Sequence, residues 1–127
     1  MPTTPNPDLL AALDPGVLAE LAHMQRNGRP GFMQRVIELY LRTAAELIGE
    51  LETASVKNEP AMLFRASHTL KPCSATVGAI SLAALCEALE GIARSGFVPD
   101  ATACVARIKA EYRRVEAALT SSTIPAD

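Results

Sequence analysis

The chain has 127 residues, 49% of them hydrophobic and 20% charged, with a formal net charge of −2 and a pI near 5.7. That length suits one domain with a single core, and an aromatic share of 4% without tryptophan favours helices packed through small residues over a β-sandwich. Mild acidity with scattered basic residues excludes a field suited to nucleic acid, and no apolar run approaches the ~20 residues that span a bilayer.

Pro2, Pro5 and Pro7, set among Thr and Asn, make residues 1–13 a poor helix and an expected flexible tail, as are residues 121–127 at the other end. The N-terminus lacks the basic start and apolar middle of a signal peptide, so the expectation is a cytoplasmic protein whose domain spans 14–120. Asp14-Pro15 reads as an N-cap followed by a first-turn proline, which opens a short helix that Asn27-Gly28 ends. Its apolar residues are Val17, Leu18 and Leu21, and His23 on it is an ordinary surface residue.

A long helix opens at Pro30 and carries Phe32, Val36, Leu39, Tyr40, Thr43, Leu47 and Leu51 at spacings of three and four, the period of an amphipathic helix. It is expected to end near Lys57-Asn58, and Asn58-Glu59-Pro60 starts the next, with Gly78 as its stop. Ser81 is the expected cap of the following helix, whose core stripe is Leu82, Leu85, Cys86, Leu89 and Ile92; Glu87 and Glu90 are its polar face. Pro99-Asp100 opens the last helix, with Val105, Ile108, Tyr112, Val115 and Leu119 facing inward. Short connections force long neighbouring helices to run antiparallel. The fold class is therefore all-α, an antiparallel up-and-down four-helix bundle with an additional short N-terminal helix. Cys73, Cys86 and Cys104 are odd in number and widely spaced, which reads as buried free thiols and not as a disulfide or metal site.

Within the third helix one residue stands apart. With Leu63 at zero and about 100° per residue, Leu63, Ala66, Ser67, Leu70, Cys73, Ser74 and Val77 gather into one buried stripe. His68 lies nearly opposite, beside Phe64, Arg65, Lys71, Pro72 and Ala75, so its imidazole faces solvent. An exposed histidine titrates near ~6.5 and is largely neutral and nucleophilic at neutral pH. It can take a phosphoryl group, whose charge Lys71 at i+3 offsets in part and Arg65 at i−3 offsets more weakly. The chain has no Gly-x-x-x-x-Gly-Lys loop for nucleotide phosphates, no acidic cluster for Mg²⁺ beside His68 and no paired Glu-x-x-His metal ligands.

His68-Thr69-Leu70-Lys71, followed by small residues and Gly78-Ala79, resembles the His-x-Leu-Lys-Gly signature of histidine-containing phosphotransfer (HPt) domains, and the likeness extends over roughly residues 15 to 120. The resemblance implies a phosphorelay intermediate. His68 would accept a phosphoryl group from the Asp of a receiver domain in a hybrid sensor kinase and pass it to the Asp of a response regulator. The partner receiver would supply Mg²⁺, and this chain would carry no cofactor or metal and act as a monomer. Phe64, Arg65, Pro72 and Ala75 are the expected docking surface, which Met33 and Ile37 on the outward side of the second helix would enlarge.

Pro72 departs from the signature, standing where the family has Gly. A proline inside a helix removes the hydrogen bond to the i−4 carbonyl, here that of His68, at a cost of ~3 kcal/mol. A local bend is expected, with the carbonyl left to water. A bulkier ring near His68 also keeps a second reading open: an HPt-like adaptor that binds a receiver or kinase without efficient transfer.

Overall fold

The computed structural model describes residues 12–27 and 31–120. Its helices are α1 (Pro15–Asn27), α2 (Phe32–Lys57), α3 (Pro60–Thr76), α4 (Ile80–Ala93) and α5 (Ala101–Leu119), with no strand among the described residues. α2 packs on α3 and α5, and α4 closes the ring by packing on the same two. Contacts across the ring give its direction. Tyr40 in the first half of α2 meets Ser74 in the last turn of α3 while Asn58 joins the other ends of the pair, and His68 meets Glu90 while Gly78 joins α3 to α4. Both pairs are antiparallel, as the short connections require.

The turns follow from local chemistry. Asp14 Oδ1 accepts the Gly16 N–H at 2.8 Å, the cap expected of Asp14-Pro15. Asn58 ends α2 in the left-handed region at φ 51, and its N–H donates to the Ala54 carbonyl. Gly78 ends α3 at φ +83, and its carbonyl accepts the Asp14 N–H at 2.7 Å. A Cβ there would stand 3.1 Å from Val17 Cβ and 3.2 Å from the Asp14 backbone, so Gly78 also makes room for the chain entering α1.

The core is the inner faces of α2–α5: Tyr40, Ala44 and Leu51 on α2, Leu63 and Leu70 on α3, Leu82 and Leu89 on α4, Ile108 and Val115 on α5. Each fully buried leucine or isoleucine contributes ~1.5–3 kcal/mol. The inward residues expected on the last helix are all buried, as is the α3 stripe apart from half-buried Cys73. Three buried hydroxyls keep partners within it. Ser67 Oγ donates to the Leu63 carbonyl at 2.6 Å, and Tyr40 and Ser74 share a hydrogen bond of 2.9 Å.

Several expectations are corrected. On α2 the buried arc runs through Met33, Ile37, Tyr40, Ala44, Leu47, Ile48 and Leu51, while Leu39 is 60% exposed. It is turned roughly 60° from the stripe read off the sequence, because α2 is so rich in apolar residues that several arcs fit the same period and contact with α1, α3 and α5 selects one. Met33 and Ile37 are consequently core residues and add nothing to an outer surface. On α4 the arc turns toward α3, its more extensive neighbour, which exposes Ile92 and buries Glu90. Ser81 lies inside α4; the N-cap is Ala79, without a side-chain cap. Of the cysteines only Cys86 is fully buried, and burial, with the nearby Glu90 charge, pushes its thiol up to about 12 against the opposing pull of Lys71.

Ala12 and Leu13, expected in the N-terminal tail, are buried in the core. Residues 1–11 and 121–127, and with them the rest of both expected tails, lie outside the described residues, as do Pro30 and the side chain of Leu21. Among the described residues, no helix is long and apolar enough to cross a membrane.

Candidate functional site

The site lies on the outward seam between α3 and α4. The α3 stripe that buries Leu63, Ser67, Leu70 and Ser74 turns His68 out, and its side chain is 62% exposed. Phe64 lies one turn earlier, half-buried, with its ring stacked on the imidazole at 5.6 Å between centroids and 7° between planes. This restricts the imidazole to one plane. It also gives an outward aromatic a local reason: Phe64 carries the Arg94 guanidinium over its ring at 5.6 Å.

Sequence reasoning missed the residue that organises the seam. Glu90 of α4 is 5% exposed, and its Oε1 lies 3.1 Å from His68 Nδ1 and 3.6 Å from Lys71 Nζ. The other oxygen, Oε2, accepts from Arg94 Nη2 at 3.1 Å. Burial alone would raise the Glu90 pKa, but the hydrogen bond from His68 and the charges of Lys71, His68 and Arg94 outweigh it and hold the carboxyl below the ordinary carboxylate range. An ionised carboxylate only accepts hydrogen bonds. Nδ1 therefore carries the proton, and Nε2 keeps its lone pair as the nucleophilic nitrogen.

Lys71 is half-buried and already engaged with Glu90, so its charge reaches His68 through a shared carboxylate instead of standing free beside it. Arg65 is exposed and makes none of the Glu90 contacts. Pro72 and Ala75 are exposed, one and two turns beyond His68 on its own side. α3 continues as a helix through Pro72 to Thr76, where the Thr76 hydroxyl donates to the Pro72 carbonyl at 2.9 Å. The structure thus places all six sequence-derived site residues on one side of α3 and adds Glu90 of α4 and Arg94 at its C-cap. The signal for Glu90 was faint: a glutamate at the edge of an apolar arc, opposite a helix bearing a histidine and a lysine. Among the described residues no three His, Cys, Asp or Glu side chains group as a metal site.

The described bundle thus presents one exposed imidazole, stacked on Phe64 and held at Nδ1 by Glu90, with Lys71 and Arg94 around the same carboxylate. The family model described as the Hpt domain matches residues 35–118, and the chain belongs to that family. It is similar to the crystal structure of histidine-containing phosphotransfer protein B from Pseudomonas aeruginosa PAO1, with a TM-score of 0.77 and 25% identity over 85% of this chain and 90% of that one. A comparison with curated proteins finds no match. Family membership carries the class of role: histidine phosphotransfer in phosphorelays, performed by a phosphocarrier.

Proposed function

We propose that this protein is a phosphorelay intermediate that accepts a phosphoryl group on His68 Nε2 from the Asp of a receiver domain in a hybrid sensor kinase and passes it to the Asp of a response regulator. The carrying observation is the His68 Nδ1 contact to buried Glu90 at 3.1 Å, which leaves Nε2 as the attacking nitrogen on an exposed ring. On loading, the Nε2 lone pair forms the N–P bond while the acyl phosphate P–O bond breaks, its electrons returning to the donor carboxylate. Mg²⁺ on the receiver would neutralise the phosphoryl oxygens from its side. Lys71 and Arg94 would do so from this one, each able to turn from Glu90 to the incoming charge.

Phe64, Arg65, Pro72 and Ala75 surround His68 and form the docking surface in this reading. Its one basic member, Arg65, with Lys71 and Arg94 beside it, suits an acidic receiver pocket. The protein would act as a cytoplasmic monomer and hold no cofactor of its own. The test is incubation with a receiver domain phosphorylated on Asp: acid-labile, base-stable label should appear on the parent and vanish in His68→Gln. Binding of receivers without any label would overturn the carrier reading in favour of an adaptor, the reading that exposed Pro72 beside the histidine otherwise keeps open.

A further inference from the structure

Attachment of a phosphoryl group to Nε2 changes what the ring needs. With Nδ1 still protonated the phosphorylated imidazole is a cation, and when the N–P bond breaks it departs as a neutral ring. If Nδ1 loses that proton first, the ring must depart as an anion, a far poorer leaving group. The fate of one proton therefore decides whether the loaded carrier discharges readily.

Here that proton faces a built acceptor. Glu90 Oε1 lies 3.1 Å from Nδ1 on a carboxylate 5% exposed, while the imidazole itself is largely in solvent. We propose that Glu90 is a positioning residue for the Nδ1 proton in both halves of the transfer, retaining it on the phosphorylated ring so that His68 leaves as neutral imidazole when the phosphoryl group moves on. The inference rests on the carrier reading above.

The balance closes without exchange with water. In discharge, an oxygen of the acceptor Asp forms the new P–O bond, the N–P bond breaks, and its electron pair returns to Nε2. Nδ1 keeps its proton, and the ring is again the neutral nucleophile that began the cycle. The surrounding charges permit this. Lys71 and His68 of α3 act on the carboxylate, as does Arg94 at the C-cap of α4, and together they hold Glu90 ionised. Arg65 and Glu87 are exposed on the same two helices. The Cys86 thiol beneath, raised to about 12, stays neutral, as does the Tyr40 hydroxyl of α2, whose pKa burial raises. No group of α5 is among those acting on Glu90.

The experiment loads parent, Glu90→Gln and Glu90→Asp with phosphoramidate, which needs no partner protein, and follows phosphate release by ³¹P NMR from pH 5 to 9. Glutamine keeps an oxygen that accepts the Nδ1–H but loses the charge that retains it. Its release profile should move down by about one pH unit, making release at neutral pH about tenfold slower, and Glu90→Asp should recover part of the difference. Imidazole ¹⁵N spectra of the loaded protein should show Nδ1–H in the parent and its loss in Glu90→Gln at the same pH. Superimposable release profiles for loaded parent and Glu90→Gln would overturn the proposal alone. If Glu90→Gln takes no label, Glu90→Asp carries the comparison: a release profile displaced below the parent's together with partial loss of Nδ1–H supports the proposal, and a profile that stays on the parent's, or shifts without loss of Nδ1–H, overturns it. A parent that takes no label on His68 overturns the carrier reading itself.

Discussion

Glu90 on α4 and Glu111 on α5 are both buried carboxylates, 5% and 9% exposed, and each has an arginine one turn further along its own helix. They differ in what happens to the second oxygen. Glu90 has His68 and Lys71 on Oε1 and Arg94 on Oε2. Glu111 has Arg114 on Oε1 at 2.7 Å, while its buried Oε2 has no hydrogen-bond partner among the described residues. Taking a carboxylate out of water is unfavourable unless its lone pairs are met. Only the glutamate beside the exposed histidine has that cost fully offset, and only there are the compensating cations drawn from two helices.

The largest expected effect comes from removing the compensated carboxylate. Glu90→Ala frees the imidazole to take either tautomer and should slow phosphoryl loading from a phosphorylated receiver by about tenfold or more, whereas Glu111→Ala should leave the initial rate of label uptake within about twofold. Equal losses in the two variants would erase the distinction between the two sides.

Acid should separate them next. The Glu90 pKa is lowered in the folded protein from its ordinary 4.5, so its contribution to stability is complete above that value and is lost as pH falls through the depressed folded-state pKa. The difference in urea midpoint between parent and Glu90→Gln should therefore be present at pH 7 and shrink as the pH is taken below 4.5. A difference that grows in acid would reverse the sign of the linkage.

A smaller effect is expected on α5. Glu111→Met removes an unmet buried oxygen and fills similar volume, so chemical denaturation should find it neutral or more stable by about 1 kcal/mol. A loss beyond about 2 kcal/mol would show that Oε2 is compensated after all. The smallest belongs to the surface pair between Lys109 and Glu52 at 3.0 Å, both sides partly in solvent. Lys109→Ala should cost less than about 1 kcal/mol, and less still in high salt.

Legibility in the sequence tracked how local each feature is. The exposure of His68 followed from the spacing of Leu63, Ala66, Ser67, Leu70 and Ser74, a pattern contained in one helix. Gly78 and Asn58 were readable as helix ends because the left-handed region suits them. The α2 arc is ambiguous in the sequence because Phe32, Val36 and Leu39 repeat at the same spacing as Met33, Ile37 and Tyr40, and period alone does not choose between adjacent arcs. Glu90 reads as polar face in the sequence because it sits at the border of the α4 arc, where the neighbouring helix decides which side is covered.

The amino-acid sequence by itself determined that five helices form, where α2 and α3 stop, and that one helix turns a histidine outward with a lysine one turn on. Those features depend on the 3.6-residue period and on the backbone preferences of glycine, asparagine and proline, which act within a few residues. Only the tertiary structure decided that Glu90, 22 residues further along the chain, meets His68 Nδ1, and that Arg94 closes over Phe64. The register of one helix against another is set by the turn at Gly78 and by side chains packing across the α3–α4 seam, and no spacing within either helix encodes it.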